Sequence, residues 1–349
     1  MQLKTLLKLQ THAKQNHFIL TFVCLILRMI TLIKNSFLFL FVLSCSHTFA
    51  QKHNTDFKIV DNYVKSLGSL DTLNVGTISY LVTKKFPDNQ DKARAIFDWI
   101  AYNISFDCKG AKRNGNEKIN SDNVLKLRKT NASGYSALYQ DMCSAVKIRC
   151  LTVDGYIKNN IEQINEKPDE FNHTWVVVQL GQSQESWFYV DPTLGSGYTD
   201  DKVTVFTKAY NDAYFFADKI IFNYQHYPNN TAWLLGPATK NLNTFLSLPL
   251  VKNAAYEFNT TSFNPSFGKI KTDLKKAVQF SFKASGTSPI DIVAIAIGPD
   301  KKKKVKTVDH TFNGGVVKFS YTFTEEDSYP VTILVNNKPL LGYIIEASE

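Results

Sequence analysis

Two residues of the 349-residue chain have the type and setting for proton-transfer chemistry. His173 heads Asn172-His173-Thr174-Trp175, and Asp191 closes Tyr189-Val190-Asp191-Pro192-Thr193. An imidazole takes up and releases protons near neutrality, and a carboxylate behind it fixes its tautomer and orientation, so the pair supplies a general base. What such a base activates is a nucleophile, and a helix's first turn suits a thiol, because free backbone N–H groups and the helix dipole stabilise the thiolate. In Lys129-Thr130-Asn131-Ala132-Ser133-Gly134-Tyr135-Ser136-Ala137-Leu138-Tyr139, Asn131 is predicted to cap a helix, which puts Ala132 in that turn. Such a turn is where a thiol hydrolase or acyl transferase places its nucleophile, and alanine has no atom with which to serve as one.

The elements that must position these residues are legible from periodicity. Phe57, Val60, Val64 and Leu67 recur at helical spacing, and Ala95, Ile96, Trp99, Ile100 and Ile104 form a second apolar stripe from about Asp91. Residues 109–120 read as a loop, and Tyr135, Leu138, Tyr139, Met142, Ala145 and Val146 fall on one face of the helix that Asn131 caps. Three β-rich segments follow, at 151–157, 174–180 and 187–190. His173 starts the second and Asp191 ends the third, so antiparallel neighbours can bring them together.

These motifs resemble the transglutaminase-like superfamily. Its nucleophile motif is a Cys two residues before Gly-Tyr, then a small residue and Leu with an aromatic following; Gly134-Tyr135-Ser136-Ala137-Leu138-Tyr139 matches, with Ala132 in the Cys position. The phrase from Asp91 to Asp107 resembles the helix before the catalytic core, and the intervals of 41 residues from Ala132 to His173 and 18 to Asp191 keep the family's Cys, His, Asp order. Leu194 stands where Trp commonly follows the Asp-Pro-Thr, a second departure. Asn211 to Phe216, His226-Tyr227-Pro228-Asn229-Asn230 and Trp233-Leu234-Leu235 resemble the segment after the core in the kyphoscoliosis-peptidase-like branch, where His226 reads as structural and non-catalytic.

A chain of this length exceeds one ordinary hydrophobic core. The expected fold is α+β: a papain/transglutaminase-like core over residues 51–235, helices packed on an antiparallel sheet, then a linker segment at 236–260 and a C-terminal immunoglobulin-like β-sandwich over 261–349. Short strands expected at 278–284, 291–297, 305–308, 316–323, 331–335 and 340–345 support the sandwich.

Residues 1–50 read as an export signal. Lys34 precedes the apolar run Phe37 to Leu43, and Thr48-Phe49-Ala50 offers a small-residue cleavage site; Met29 offers a second start that would make the first 28 residues an over-extension. Cleavage after Ala50 is preferred to lipid attachment at Cys45, because Leu43 departs from the small residue usual two places before a lipidated cysteine. The formal charge of +9 owes five units to Lys4, Lys8, Lys14, Arg28 and Lys34, leaving +4 beyond residue 50. The run Lys301 to Lys304 follows a Gly-Pro-Asp turn without interleaved aromatics, which reads as a solvated loop tip rather than a nucleic-acid site.

Beyond residue 50 only Cys108, Cys143 and Cys150 remain, an odd number without zinc-ligand spacing, and the histidines show no ligand-like pattern. No metal or organic cofactor is expected. Cys143 lies about three turns beyond Ala132, and both it and Cys150 read as packing residues. The expectation is an exported pseudoenzyme that binds a protein or peptide or serves as an envelope scaffold. The alternative is an active peptidase or acyl transferase whose native Cys is altered here or whose nucleophile is another residue, Ser133 being the nearest hydroxyl.

Overall fold

A computed structural model describes residues 56–349, apart from 115–117, 201, 240 and 300–302. The export signal at 1–50, with the lipidation alternative at Cys45, lies outside the described residues. Three helices open the core: α1 (Lys58–Leu67), α2 (Val75–Thr83) and α3 (Asn89–Asn103). Every residue from Ala93 to Ala101 of α3 is buried, so this helix is enclosed on all sides rather than along one stripe. Its one buried cation, Arg94, is paired with Asp61 at 3.0 Å, as burial of a charge requires, and its Nε also lies 3.1 Å from Asp98 Oδ1.

Strand β1 (Ser105–Phe106) precedes α4 (Cys108–Asn114) and α5 (Ser121–Leu127), and β2 (Lys129–Thr130) then pairs with β1 in parallel. Helix α6 (Ala132–Ala145) follows at once. The central sheet consists of β3 (Arg149–Ile157), β4 (His173–Gln179), β5 (Trp187–Val190) and, after a long excursion, β8 (His226–Pro228), in the order β5-β4-β3-β8 and antiparallel throughout. Six of the seven residues of β4 are buried, because α6 covers the strand and β3 and β5 flank it. Between β5 and β8 lie α7 (Pro192–Ser196), the hairpin β6 (Gly197–Thr199) with β7 (Phe206–Lys208), and α8 (Lys219–Gln225).

Residues 236–260, read from the sequence as a linker, carry structure of their own: α9 (Leu242–Ser247), β9 (Leu250–Val251) and α10 (Ala254–Glu257). Phe245, Leu246, Leu250, Val251, Ala255 and Phe258 are buried there, so the segment is packed, not extended through solvent.

The C-terminal region is an immunoglobulin-like sandwich. One sheet runs β10 (Thr260–Asn264), β12 (Ala277–Ala284), β16 (Val316–Thr322), β15 (His310–Asn313). The other runs β11 (Lys269–Asp273), β18 (Lys338–Ser348), β17 (Asp327–Val335), β13 (Val293–Ile297), β14 (Lys304–Thr307), with β9 also pairing to β18. Phe280, Phe282, Ile295, Phe319, Ile333 and Tyr343 fill the space between them. Strand β14 is an edge, exposed along its length, and its Lys304 and Lys306 suit an edge that must not recruit another strand.

Residues 57–349 form one compact unit. Val251 and Leu250 of β9 pair with Leu341 and Gly342 of β18, and Gly268 N–H donates to the Ser247 carbonyl at 2.7 Å. The buried Lys158 ammonium, just beyond β3, donates to the carbonyls of Phe245 (2.8 Å) and Leu248 (2.7 Å) at the end of α9. Burial draws that ammonium down to about 7, while the negative end of a helix is where a cation is best placed.

Candidate active site

The first turn of α6 is set by three local features. Asn131 is extended and its Oδ1 accepts the Gly134 N–H at 3.0 Å, capping the helix as its residue type predicts. A Cβ on Gly134 would lie 1.9 Å from Thr130 Oγ1, so only glycine fits the turn against β2. Tyr135 OH donates to the Ile104 carbonyl at 2.8 Å and accepts from Ser196 Oγ at 2.9 Å, tying α6 to α3 on one side and to α7 on the other. Ser136 Oγ donates to the Thr174 carbonyl at 3.0 Å. Ala132 and Ser136 are one turn apart and share a face of the helix, so the face that carries Ala132 is the one laid against the head of β4.

His173 stands at that head. Its Nε2 is 2.6 Å from Asp191 Oδ2, and because an ionised carboxylate only accepts, Nε2 carries the proton. The other oxygen, Oδ1, accepts the N–H groups of Thr193 (2.9 Å) and Leu194 (3.0 Å), so Asp191 is at once the orienting carboxylate and the N-cap of α7. The backbone at Leu194 therefore serves the site whatever its side chain, and the side chain packs, partly buried, against the core.

The structure brings His173 and Asp191 into contact and puts Ala132 in the first turn of α6, the helix that packs on β4. Ala132 is 4% exposed, His173 3% and Asp191 0%. Cys143, farther along α6, and Cys150, in β3, are buried and free within the core. Ser133 occupies the same turn as Ala132 and is also buried; successive residues on a helix differ by about 100 degrees in direction.

A further buried residue contacts Asp191. His226, assigned from the sequence to a structural phrase, has its Nε2 3.1 Å from the same Asp191 Oδ2 that receives His173. The sequence gives no local sign of this, because β8 returns to the sheet 69 residues after β3 ends. Gly155 of β3 pairs with His173 on one side and with Pro228 on the other. A Cβ there would lie 2.3 Å from the Tyr227 carbonyl and 2.5 Å from the Trp175 ring, so glycine lets the two histidine-bearing strands close up.

Burial by itself would raise the Asp191 carboxyl, but the two imidazoles outweigh it and hold the group well below the usual carboxylate range. Burial lowers His226, against the pull of Asp191. Trp175 lies beside both rings, 5.2 Å between centroids from His226 and 6.4 Å from His173, and its indole N–H has no partner among the described residues.

The ligand atoms of His173, Asp191 and His226 all lie within 4.8 Å of one another, which by composition could hold a metal ion. The contacts argue for hydrogen bonds instead. A tetrahedral ion with bonds of about 2.0–2.2 Å separates its ligand atoms by roughly 3.3 Å, whereas His173 and Asp191 approach to 2.6 Å.

Residues 77–192 match the family model described as Transglutaminase-like superfamily. The chain is 32% identical over 188 residues to the kyphoscoliosis peptidases of Mus musculus and Homo sapiens, covering 54% of this chain and 28% of each relative. It is 26% identical over 216 residues to the Lim and transglutaminase domain protein ltd-1 of Caenorhabditis elegans, covering 55% of this chain and 28% of that protein. The chain thus spans less than a third of the length of these relatives.

Proposed function

The chain carries a transglutaminase-like domain of the kyphoscoliosis-peptidase-like branch, and from that premise we propose that it is an exported pseudoenzyme that binds a protein or peptide segment or serves as an envelope scaffold. The observation that carries this reading is Ala132, a methyl group in the first turn of the helix packed on β4, where the resemblance expects a thiol, together with the His173–Asp191 contact. In a different protease, removing the nucleophile of a triad costs on the order of a millionfold in turnover. Ser133 does not replace it, since its direction from the helix differs by about 100 degrees. Export rests on the apolar run Phe37 to Leu43 followed by Thr48-Phe49-Ala50. The purified chain should neither hydrolyse nor cross-link glutamine-containing peptides; turnover that disappears in His173→Ala would overturn the reading.

A second reading is favoured by the short His173 to Asp191 contact, which preserves the orientation a general base needs. On it, a form of the protein with cysteine at position 132 is a working peptidase or acyl transferase. Turnover gained by Ala132→Cys would support that reading, whereas a Ser133-dependent reaction in the native chain would point to the hydroxyl instead.

A further inference from the structure

We infer that His226 is a positioning residue of this site, a second imidazole that clamps the Asp191 carboxylate from behind and shares the negative charge offered to His173. The inference rests on the reading above only in taking His173 and Asp191 as the working pair.

The carboxylate has four donors and no spare freedom. Oδ1 takes two backbone N–H groups of α7, and Oδ2 takes both imidazoles, at 2.6 Å and 3.1 Å. His226 is fully buried, so it cannot touch a substrate and can act only through Asp191. Its ring has nowhere else to turn. It stacks on Phe222 with centroids 3.7 Å apart and planes 5° from parallel, and it meets Trp175 edge to face.

The support behind it is also polar and buried. Gln225, the neighbour of His226, donates through Nε2 to the Val251 carbonyl of β9 at 3.2 Å and accepts from Tyr256 OH at 2.9 Å. Tyr214 OH donates to Asn253 Oδ1 at 2.5 Å, and the Tyr214 carbonyl accepts the Asp191 N–H at 2.9 Å. The second imidazole and the carboxylate are therefore both anchored to the segment that joins the sandwich.

A carboxylate that gives one oxygen to two donors binds each less strongly than it would bind one alone, because donors to a common acceptor compete for its charge. Removing His226 should strengthen the remaining bond to His173. That bond is visible in the native chain without any activity: the His173 Nε2–H, buried and charge-assisted, is expected as a far-downfield, exchange-protected proton resonance, assignable by its loss in His173→Gln.

In His226→Phe the resonance should move further downfield, and in His226→Gln, whose amide keeps a donor, it should stay nearer its native position. An unmoved or upfield resonance in His226→Phe, or a Gln variant displaced as far as the Phe variant, would overturn the inference. So would absence of the resonance from the native chain, as follows if a cation sat between these atoms. A purely structural His226 would alter thermal stability and leave the resonance in place. Because the readout needs no turnover, its failure is separable from failure of the proposed function, which turnover assays of the native chain and His173→Ala test.

Discussion

At the scale of single residues, Ala132 lacks the one sulfur atom that a cysteine at that position would carry. Ala132→Cys should put a thiol within the field of the α6 N-terminus and beside His173, conditions that bring a thiol from its ordinary value near 8.5 into a range of about 3.5–7.5. Iodoacetamide should then alkylate the introduced thiol at pH 6 about tenfold faster than in Ala132→Cys combined with His173→Ala. Equal rates in the two would show that the imidazole does not reach position 132. Asn131 and Gly134 are what make the substitution informative, since they hold the turn in a geometry that a larger residue at 134 would destroy.

At the scale of elements, the site depends on how closely three strands approach. Gly155→Ala would drive a methyl group into the Tyr227 carbonyl, which cannot be moved by a rotamer change. A loss of about 1–3 kcal/mol in stability by chemical denaturation is expected, and a neutral result would mean that β8 can retreat from β3 at no cost. Lys158→Met should likewise cost about 1–3 kcal/mol, because the carbonyls ending α9 lose a buried donor; denaturation at pH 6 checks this.

Much of this architecture was legible in advance. The apolar stripes of α1, α3 and α6 and the β-rich runs marked those elements within a few residues, and the Asn131 cap follows from residue type, whereas α2 was passed over and α4 occupies the start of the stretch 109–120 that reads as a loop. His226 was hidden because its partner is set by a strand pairing across a long gap, which periodicity does not encode. Strands β10, β11 and β15 were also missed, as exposed alternating residues such as those of Lys269–Asp273 lack the apolar signal of a strand. The structure of residues 236–260 was missed because its short helices and two-residue strand draw their stability from neighbours rather than from their own pattern.

At the scale of the whole molecule, the buried charges make stability depend on pH. His226 is lowered by burial, so below about pH 6.5 the unfolded chain takes up a proton that the folded chain refuses, and stability falls as pH falls. Asp98 works the other way: burial lifts it to about 8 against the pull of Arg94, so the folded chain holds a proton between about pH 4 and 8 that the unfolded chain has lost. The clean observable is a difference. The gap in stability between the native chain and His226→Phe should narrow from pH 7 to pH 5, by up to about 1.4 kcal/mol per pH unit; a constant gap would show that His226 does not titrate differently on folding. Asp191, held low, adds a further loss only below about pH 4, where the unfolded carboxylate protonates first.

The placement of Trp175 gives the molecule a built-in optical reporter. Its indole is packed edge to face on the imidazole of His226, while Trp187 and Trp233 pair with each other elsewhere. A protonated imidazole quenches a neighbouring indole, and because burial keeps His226 neutral in the folded chain, the emission of Trp175 should hold steady on mild acidification and dim only well below pH 6.5. The dimming should be absent from Trp175→Phe, which would let the charge state behind the carboxylate be followed by fluorescence without a substrate or a label.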